Sequence, residues 1–199
     1  MAIAGRVLTG WIVVDIDATL ITAHSNKQGA AATFKKGWGF HPLGAWCQNT
    51  GEALAMLLRP GNAGSNTVAD HLVVLEQAIA AIPARFRSRI LIRIDGAGAT
   101  HELLERVQAL NTTRRVVRFC VGWTITDVDE AAIGQPPESA WTAAVDTDGE
   151  VQAQCAVAEI TDLDARTAGW PPGTRLIVRR SRPSRRHERK LTDFERQSG

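Results

Sequence analysis

Two apolar runs in this chain end in acids. One is Val13-Val14-Asp15-Ile16-Asp17-Ala18-Thr19, and the other is Ile90-Leu91-Ile92-Arg93-Ile94-Asp95. Trp11 to Val14 is continuous and β-branched, the pattern of a strand buried on both faces, and Asp15 and Asp17 fall at its C-terminal end. Side chains alternate along a strand, so Asp15 and Asp17 point the same way, roughly 7 Å apart. A carboxylate at the mouth of a buried strand is costly unless it stays ionised beside water, a cation or a donor. Two strands that each deliver a carboxylate predict a divalent metal site, with Asp15, Asp17 and Asp95 as oxygen donors for Mg²⁺ or Mn²⁺. Paired ions roughly 3.5 to 4 Å apart activate a water or a 3′-hydroxyl for in-line attack on a phosphodiester. The plain alternative is that these acids only end strands and accept turn hydrogen bonds.

The elements around the acids decide between the two. After the first strand, residues 23–36 are polar and Gly/Ala-rich and read as a loop or wide hairpin connection. Gly37 to Cys47 and Glu52 to Leu58 read as the second and third strands, turned by Gln48-Asn49-Thr50-Gly51. A loop then leads to a helix capped by Asn66 or Thr67, whose stripe is Val68, Leu72, Leu75, Ile79 and Ile82 and which Pro83 closes. Arg89 to Ile94 forms the fourth strand. Thr100 caps a second helix holding Leu103, Leu104, Val107 and Leu110, and Arg115 to Val121 forms the fifth strand. Three antiparallel strands followed by helix, strand, helix and strand is the order of an RNase H-like α/β fold. In it the fourth strand lies parallel beside the first, so Asp17 and Asp95 meet at one end of the sheet.

From Trp123 the texture changes to short strands, at 141–145, 151–159 and 175–179, between Gly- and Pro-rich turns, with a short helix at Asp127 to Ile133. The expected division is a core over 1–122, a β-rich insertion over 123–180 and a basic, disordered tail over 181–199. The chain has 199 residues, enough for one domain with an appendage. Its 44% hydrophobic and 22% charged content is that of a soluble globular protein. The net charge of +2 is near neutral, so attraction to nucleic acid would come from local clusters. Cys47, Cys120 and Cys155 are widely spaced and odd in number, which predicts reduced thiols, mostly buried in strands, in a cytoplasmic protein. The first apolar run is too short for a signal peptide core or a membrane span.

Over nearly its whole length the chain resembles the catalytic domain of DDE transposases from bacterial cut-and-paste insertion sequences. The resemblance rests on 15–19 (DIDAT), 24–30 (HSNKQGA), 36–43 (KGWGFHPL), 58–66 (LRPGNAGSN), Arg93 to Asp95 with Leu103-Leu104, 119–123, and 170–180 (WPPGTRLIVRR). It implies a divalent-metal-dependent domain that cleaves and transfers DNA strands at the ends of its own mobile element. Asp17 and Asp95 map to the first two catalytic acids, with Asp15 a substitute or supporting ligand. Gly96-Ala97-Gly98 departs from the Ser-Gly-Phe usual after the second acid. The family's third carboxylate is a Glu on a helix beyond the insertion. This sequence ends at Gly199 without it and lacks the DNA-binding region before the first strand, which implies a truncated frame not competent alone. Double-stranded DNA at element ends is the implied partner, with a second copy or a full-length transposase beside it.

Lys35 and Lys36, together with His24, Lys27 and His41, could touch a DNA backbone or simply form a solvated loop. Arg179, Arg180, Arg185 and Arg186 belong to a basic cluster that either neutralises phosphates or lies in the tail. Trp123, Trp141 and Trp170 pack the insertion, or alternatively stack on an unpaired base. His71 and His101 read as ordinary helix residues. Two other functions fit parts of the chain. Residues 13–21 (VVDIDATLI) also match the first motif of haloacid dehalogenase-like phosphatases, with Asp15 as nucleophile, Asp17 as general acid and Mg²⁺ as electrophile. Against that, the helix such a fold needs straight after the motif is not predicted. A non-catalytic remnant that binds DNA or transposase is the third reading.

Overall fold

The computed structural model describes residues 2–3, 6–7, 10–23, 27–64 and 67–182. The chain divides into two units, Met1–Thr124 and Ile125–Gly199. In the first, β1 (Ala2–Ile3) and β2 (Arg6–Val7) form a small antiparallel pair and β3 (Ile12–Ala18) follows. Next come three short strands, β4 (Ile21–Thr22), β5 (Ala31–Ala32) and β6 (Trp38–Phe40), and then β7 (Leu43–Cys47) and β8 (Glu52–Leu57). The unit continues through α1 (Val68–Ala81), β9 (Arg89–Ile94), α2 (His101–Ala109) and β10 (Val116–Val121).

One mixed sheet organises this unit, in the order β10-β9-β3-β7-β8. The pairs β3/β7 and β7/β8 are antiparallel, whereas β3/β9 and β9/β10 are parallel. The anticipated antiparallel meander and the parallel pairing of the first and fourth strands are observed in this mixed sheet. Alternation splits each central strand between two environments. Ile12, Val14 and Ile16 of β3 and Ile90, Ile92 and Ile94 of β9 are buried together with Val74, Leu75, Ala78 and Ile79 of α1 and Leu103 and Val107 of α2. Val13, Asp15 and Asp17 occupy the opposite face, which is only partly covered. The central strand is therefore not buried on both faces: its apolar run is continuous, but the core uses every second residue of it.

α1 keeps the anticipated stripe and adds buried His71, Val74 and Ala78. It stops because Ile82, held extended before Pro83, leaves the helical region. His71 is a core residue. Its Nδ1 lies 2.9 Å from the Thr67 carbonyl, which can only accept, so that nitrogen carries the proton. Thr67 occupies the N-cap without making a side-chain cap bond, and Asn66 lies outside the described residues. Thr100 does cap α2, its hydroxyl accepting from Leu103 N.

The expected single strand over 37–47 is two strands in different sheets. β6 lies between β4 and β5 in a separate three-stranded sheet, and of the loop or wide hairpin connection anticipated over 23–36 only Ala31–Ala32 is a strand among the described residues, paired antiparallel with β6. Pro42 has no N–H for a continuing ladder, and the His41 N–H goes instead to the Arg59 carbonyl at 3.0 Å. The RPGN loop that follows β8 braces this crossing. Arg59 is buried; its Nε donates to the His41 carbonyl at 2.9 Å, and its Nη1 donates to the Gly64 carbonyl and Asp70, both at 3.1 Å. Gly61 packs against the carbonyls of Ala31 and Gly39 so closely that a Cβ there would overlap them.

The second unit contains α3 (Asp127–Ile133), β11 (Thr142–Val145), β12 (Val151–Glu159) and β13 (Ile177–Ser181), with the strands in an antiparallel sheet ordered β11-β12-β13. β13 starts and ends two residues later than anticipated, because the Leu176 N–H bonds the Thr161 hydroxyl rather than a strand partner. Asp129 is fully buried; it accepts from Thr126 N at 2.7 Å, from the Thr126 hydroxyl at 2.6 Å and from Arg166. The basic tail anticipated over 181–199 falls outside the described residues from 183 onward, and Arg185 and Arg186 fall outside with it. All three cysteines are free; Cys47 is buried and Cys155 half-buried, but Cys120 is exposed, because on β10 it alternates with Phe119 and Val121. No helix among the described residues is long and apolar enough to cross a membrane.

Candidate active site

β3 and β9 run side by side with Asp15 opposite Arg93 and Ile16 opposite Ile94. The paired register ends there, and Asp17 and Asp95 are the next residues along each chain. Both residues are exposed. Asp17 is still within β3, opposite Gly44 of β7, and its Oδ1 accepts the N–H of Ala18 at 2.7 Å. Asp95 leaves β9 at the start of a 3₁₀ turn, Gly96–Gly98, in which its carbonyl accepts the Gly98 N–H at 3.1 Å. This turn needs glycine on the neighbouring strand as well: a Cβ on Gly122 would come within 2.5 Å of the Gly96 nitrogen. Asp95 is thereby placed by backbone packing as much as by its own strand.

Asp15, two residues before Asp17 and on the same face, is in a different situation. Arg93 grips it with both arms of its guanidinium, Nε to Oδ1 at 2.5 Å and Nη2 to Oδ2 at 2.6 Å, and reaches Gln48 Oε1 at 3.1 Å. The hydrogen bonds that Arg93 donates to Asp15 push its own pKa further up, and the attraction of Asp15 adds to this against partial desolvation. The carboxylate row along the sheet end therefore consists of one neutralised acid, Asp15, and two exposed ones, Asp17 and Asp95. Hard oxygen donors suit Mg²⁺ or Mn²⁺. Among the described residues no third acid, His or Cys completes a metal-binding group with them.

Sequence reasoning missed Arg93, although a signal was present. Asp15-Ile16-Asp17 and Arg93-Ile94-Asp95 have the same spacing, so aligning the two strands in parallel sets Arg93 against Asp15 as soon as Asp17 is set against Asp95. Gln48 and Arg59 carried no comparable signal, because they lie in a turn and a loop, where no strand or helix period says which way a side chain points.

The basic residues singled out as DNA contacts belong to both units. Lys35 and Lys36 are exposed in the turn between β5 and β6. Arg179 donates to Gln152 Oε1 at 2.7 Å and to Cys155 Sγ at 3.4 Å. Arg180 is paired with Glu138 and lies 4.1 Å above the Trp141 ring centroid, so Trp141 packs against an arginine of its own unit. His41 is buried, its Nδ1 3.1 Å from the Ala63 carbonyl, and cannot reach a DNA backbone there.

The family described as Transposase DDE domain group 1 has a sequence model that matches residues 6–192. No curated protein matches the chain. Among solved structures, piggyBac transposase, in a cryo-EM synaptic complex with hairpin DNA, is similar at 10% sequence identity and a TM-score of 0.46, over 84% of this chain and 32% of that one. The chain thus spans about a third of the length of that transposase.

Proposed function

This chain belongs to the DDE transposase domain family, group 1, and we propose on that premise that Asp17 and Asp95 are two of the metal-binding carboxylates of a DNA strand-cleavage and strand-transfer site. The observation that carries the reading is the parallel register of β3 and β9, in which Ile16 faces Ile94 and the next residue on each strand is an exposed aspartate. The five-stranded mixed sheet supports reading 1–122 as an RNase H-like core and the β-rich segment over 123–180 as its insertion.

A bound Mg²⁺ or Mn²⁺ would supply Lewis acidity toward a phosphodiester and lower the pKa of an attacking water or 3′-hydroxyl. The protein's own part is positional. Asp17 and Asp95 present oxygens from adjacent strand ends, Gly122 leaves room for the turn that aims Asp95, and Arg93 holds Asp15 in its own ion pair. Asp15 would serve as a supporting ligand only if Arg93 swung away. Lys35, Lys36, Arg179 and Arg180, with Arg185 and Arg186 beyond the described residues, are the proposed phosphate contacts for double-stranded DNA at mobile-element ends. Such a reaction fits a cytoplasmic protein of a bacterial insertion sequence. Two carboxylates alone bind a divalent ion weakly, so the described residues support weak metal binding and little strand transfer until a further carboxylate joins them. Asp15, the nucleophile that phosphatase chemistry would need, has both oxygens on Arg93 and is followed by β-structure, so nothing in the site favours that alternative.

The test is a Mn²⁺ titration of the wild-type chain against Asp17→Asn and Asp95→Asn, each confirmed as folded by circular dichroism. Loss of the ion in both variants is the expected result. Binding that survives Asp95→Asn unchanged would mean that the two strands do not share a metal.

A further inference from the structure

The turn joining β5 to β6 presents Phe34, which at 70% exposure is the most exposed large apolar side chain among the described residues. The turn is firmly built. Thr33 N donates to the Gly37 carbonyl at 2.9 Å, Lys36 N to the Thr33 carbonyl at 3.0 Å, and Gly37 N to the Thr33 hydroxyl at 3.1 Å. Lys36 is held at φ +62°, a left-handed conformation that a side-chain-bearing residue adopts only at an energetic cost. Folding therefore fixes, in a strained turn, an aromatic ring that buries little of its own surface.

The chemistry beside the ring is cationic. Lys35 Nζ lies 5.7 Å from the Phe34 ring centroid, and Lys36 is exposed in the same turn. Trp38, 43% exposed, follows at the start of β6. The location is also specific. β6 pairs with β4 through Ile21 and Phe40, and β4 follows the strand that carries Asp17.

We propose that the Phe34 turn is a nucleic-acid contact in which the ring stacks on an unpaired base while Lys35 and Lys36 take the flanking phosphates. The proposal rests on DNA being this chain's partner and goes beyond the phosphate contacts already assigned to the two lysines. Stacking platforms of this type combine a flat apolar face, which accepts any base, with adjacent cations that follow the backbone. The Phe34 ring meets His41, at 5.7 Å between centroids, on one side only and leaves most of its surface to solvent, and a purely electrostatic contact would not need a ring at the tip. The two lysines make single-stranded DNA a better match than an apolar protein segment.

The experiment measures binding of the full chain, in EDTA so that neither cleavage nor the metal site intervenes, to two 2-aminopurine-labelled oligonucleotides: a fully paired duplex and the same duplex with one unpaired base. The wild type is expected to prefer the second and to quench its fluorophore. Phe34→Ala should weaken binding to the unpaired-base oligonucleotide by about tenfold and remove the quenching, with the duplex little affected. Phe34→Trp should retain both. Lys35→Gln with Lys36→Gln should weaken both oligonucleotides alike and flatten the salt dependence by about one to two counterions. Because Phe34 is exposed, its variants should melt with the wild type. Equal affinity of Phe34→Ala and wild type for both oligonucleotides overturns the proposal while leaving the DNA reading intact. A change in sedimentation mass with unchanged DNA binding would overturn it in favour of self-association. Absence of any DNA binding by the wild type would overturn the proposal together with its premise, whereas the Mn²⁺ titration would still stand.

Discussion

Replacing Arg93 by alanine should tighten divalent metal binding while slightly weakening the fold, and replacing Asp15 by asparagine should do the reverse to the metal. The pair is bidentate, at 2.5 and 2.6 Å, but its side chains are 44% and 28% exposed for Arg93 and Asp15. In that setting an ion pair contributes about 1 kcal/mol at most, so Arg93→Ala should lower Tm by roughly 3 °C for a chain of this size. The metal responds to charge. The guanidinium lies one strand repeat, roughly 7 Å, from the exposed acids. At that distance and a water-like dielectric, a unit charge opposes a dication by about 1 kcal/mol, close to a fivefold change in Kd. Screening should reduce this to about twofold at physiological ionic strength. Arg93→Ala removes the repulsion and releases Asp15, both of which favour the ion. Asp15→Asn leaves the guanidinium unneutralised and should weaken the ion by a similar factor. Isothermal titration with Mn²⁺ at low and physiological salt, beside thermal unfolding, reads both effects. If Asp15→Asn abolishes binding as completely as Asp17→Asn, Asp15 is itself a ligand and the reasoning fails. Weaker binding in Arg93→Ala would refute it equally.

Arg59→Ala should cost about 3 kcal/mol in denaturant unfolding, because it removes a buried guanidinium that serves two carbonyls and Asp70. A loss under about 1 kcal/mol would mean that the RPGN loop does not brace the crossing between the two sheets. In the second unit, Glu159 is held down to about 2 by hydrogen bonds from Arg175 and then Thr161. A carboxyl lowered in the folded state stabilises fully above its unfolded value and loses that contribution as pH falls through the folded one. The window is therefore from the usual 4.5 down to about 2. Both side chains are exposed, so the effect is small. Its signature is a difference in slope: Arg175→Ala should show a flatter loss of stability across that window than the wild type, and parallel profiles would exclude the linkage.

Much of the first unit could be read from the sequence because its signals are local. Alternation in β3 and β9, the stripe and terminal proline of α1, and the Thr100 cap each depend on residues a few positions apart. The two acids that end neighbouring strands were visible for the same reason, since strand order follows from element order when connections are short. The second unit was less legible. Its short strands and turns were anticipated, but the buried Asp129 that gathers Thr126 and Arg166 was not, since an acid in the first turn of a helix usually signifies only a cap.

The sequence by itself determined that Asp15, Asp17 and Asp95 lie at strand ends, because period and composition act along the chain. Which of them is held in an ion pair with Arg93 was decided only by the tertiary structure. Asp15 and Asp17 are the same residue type on the same face, yet register sets Arg93 against Asp15 and leaves Asp17 exposed opposite Gly44. The break at Pro42 was also settled in three dimensions. The apolar run from Gly37 to Cys47 is as good a strand as any in the chain. It splits because Arg59, reaching back from the next loop, takes the His41 carbonyl on its side chain and the His41 N–H on its own backbone, and so ends one sheet where the other begins. Burial and pairing between distant segments depend on where the backbone has already gone, and no local pattern records that.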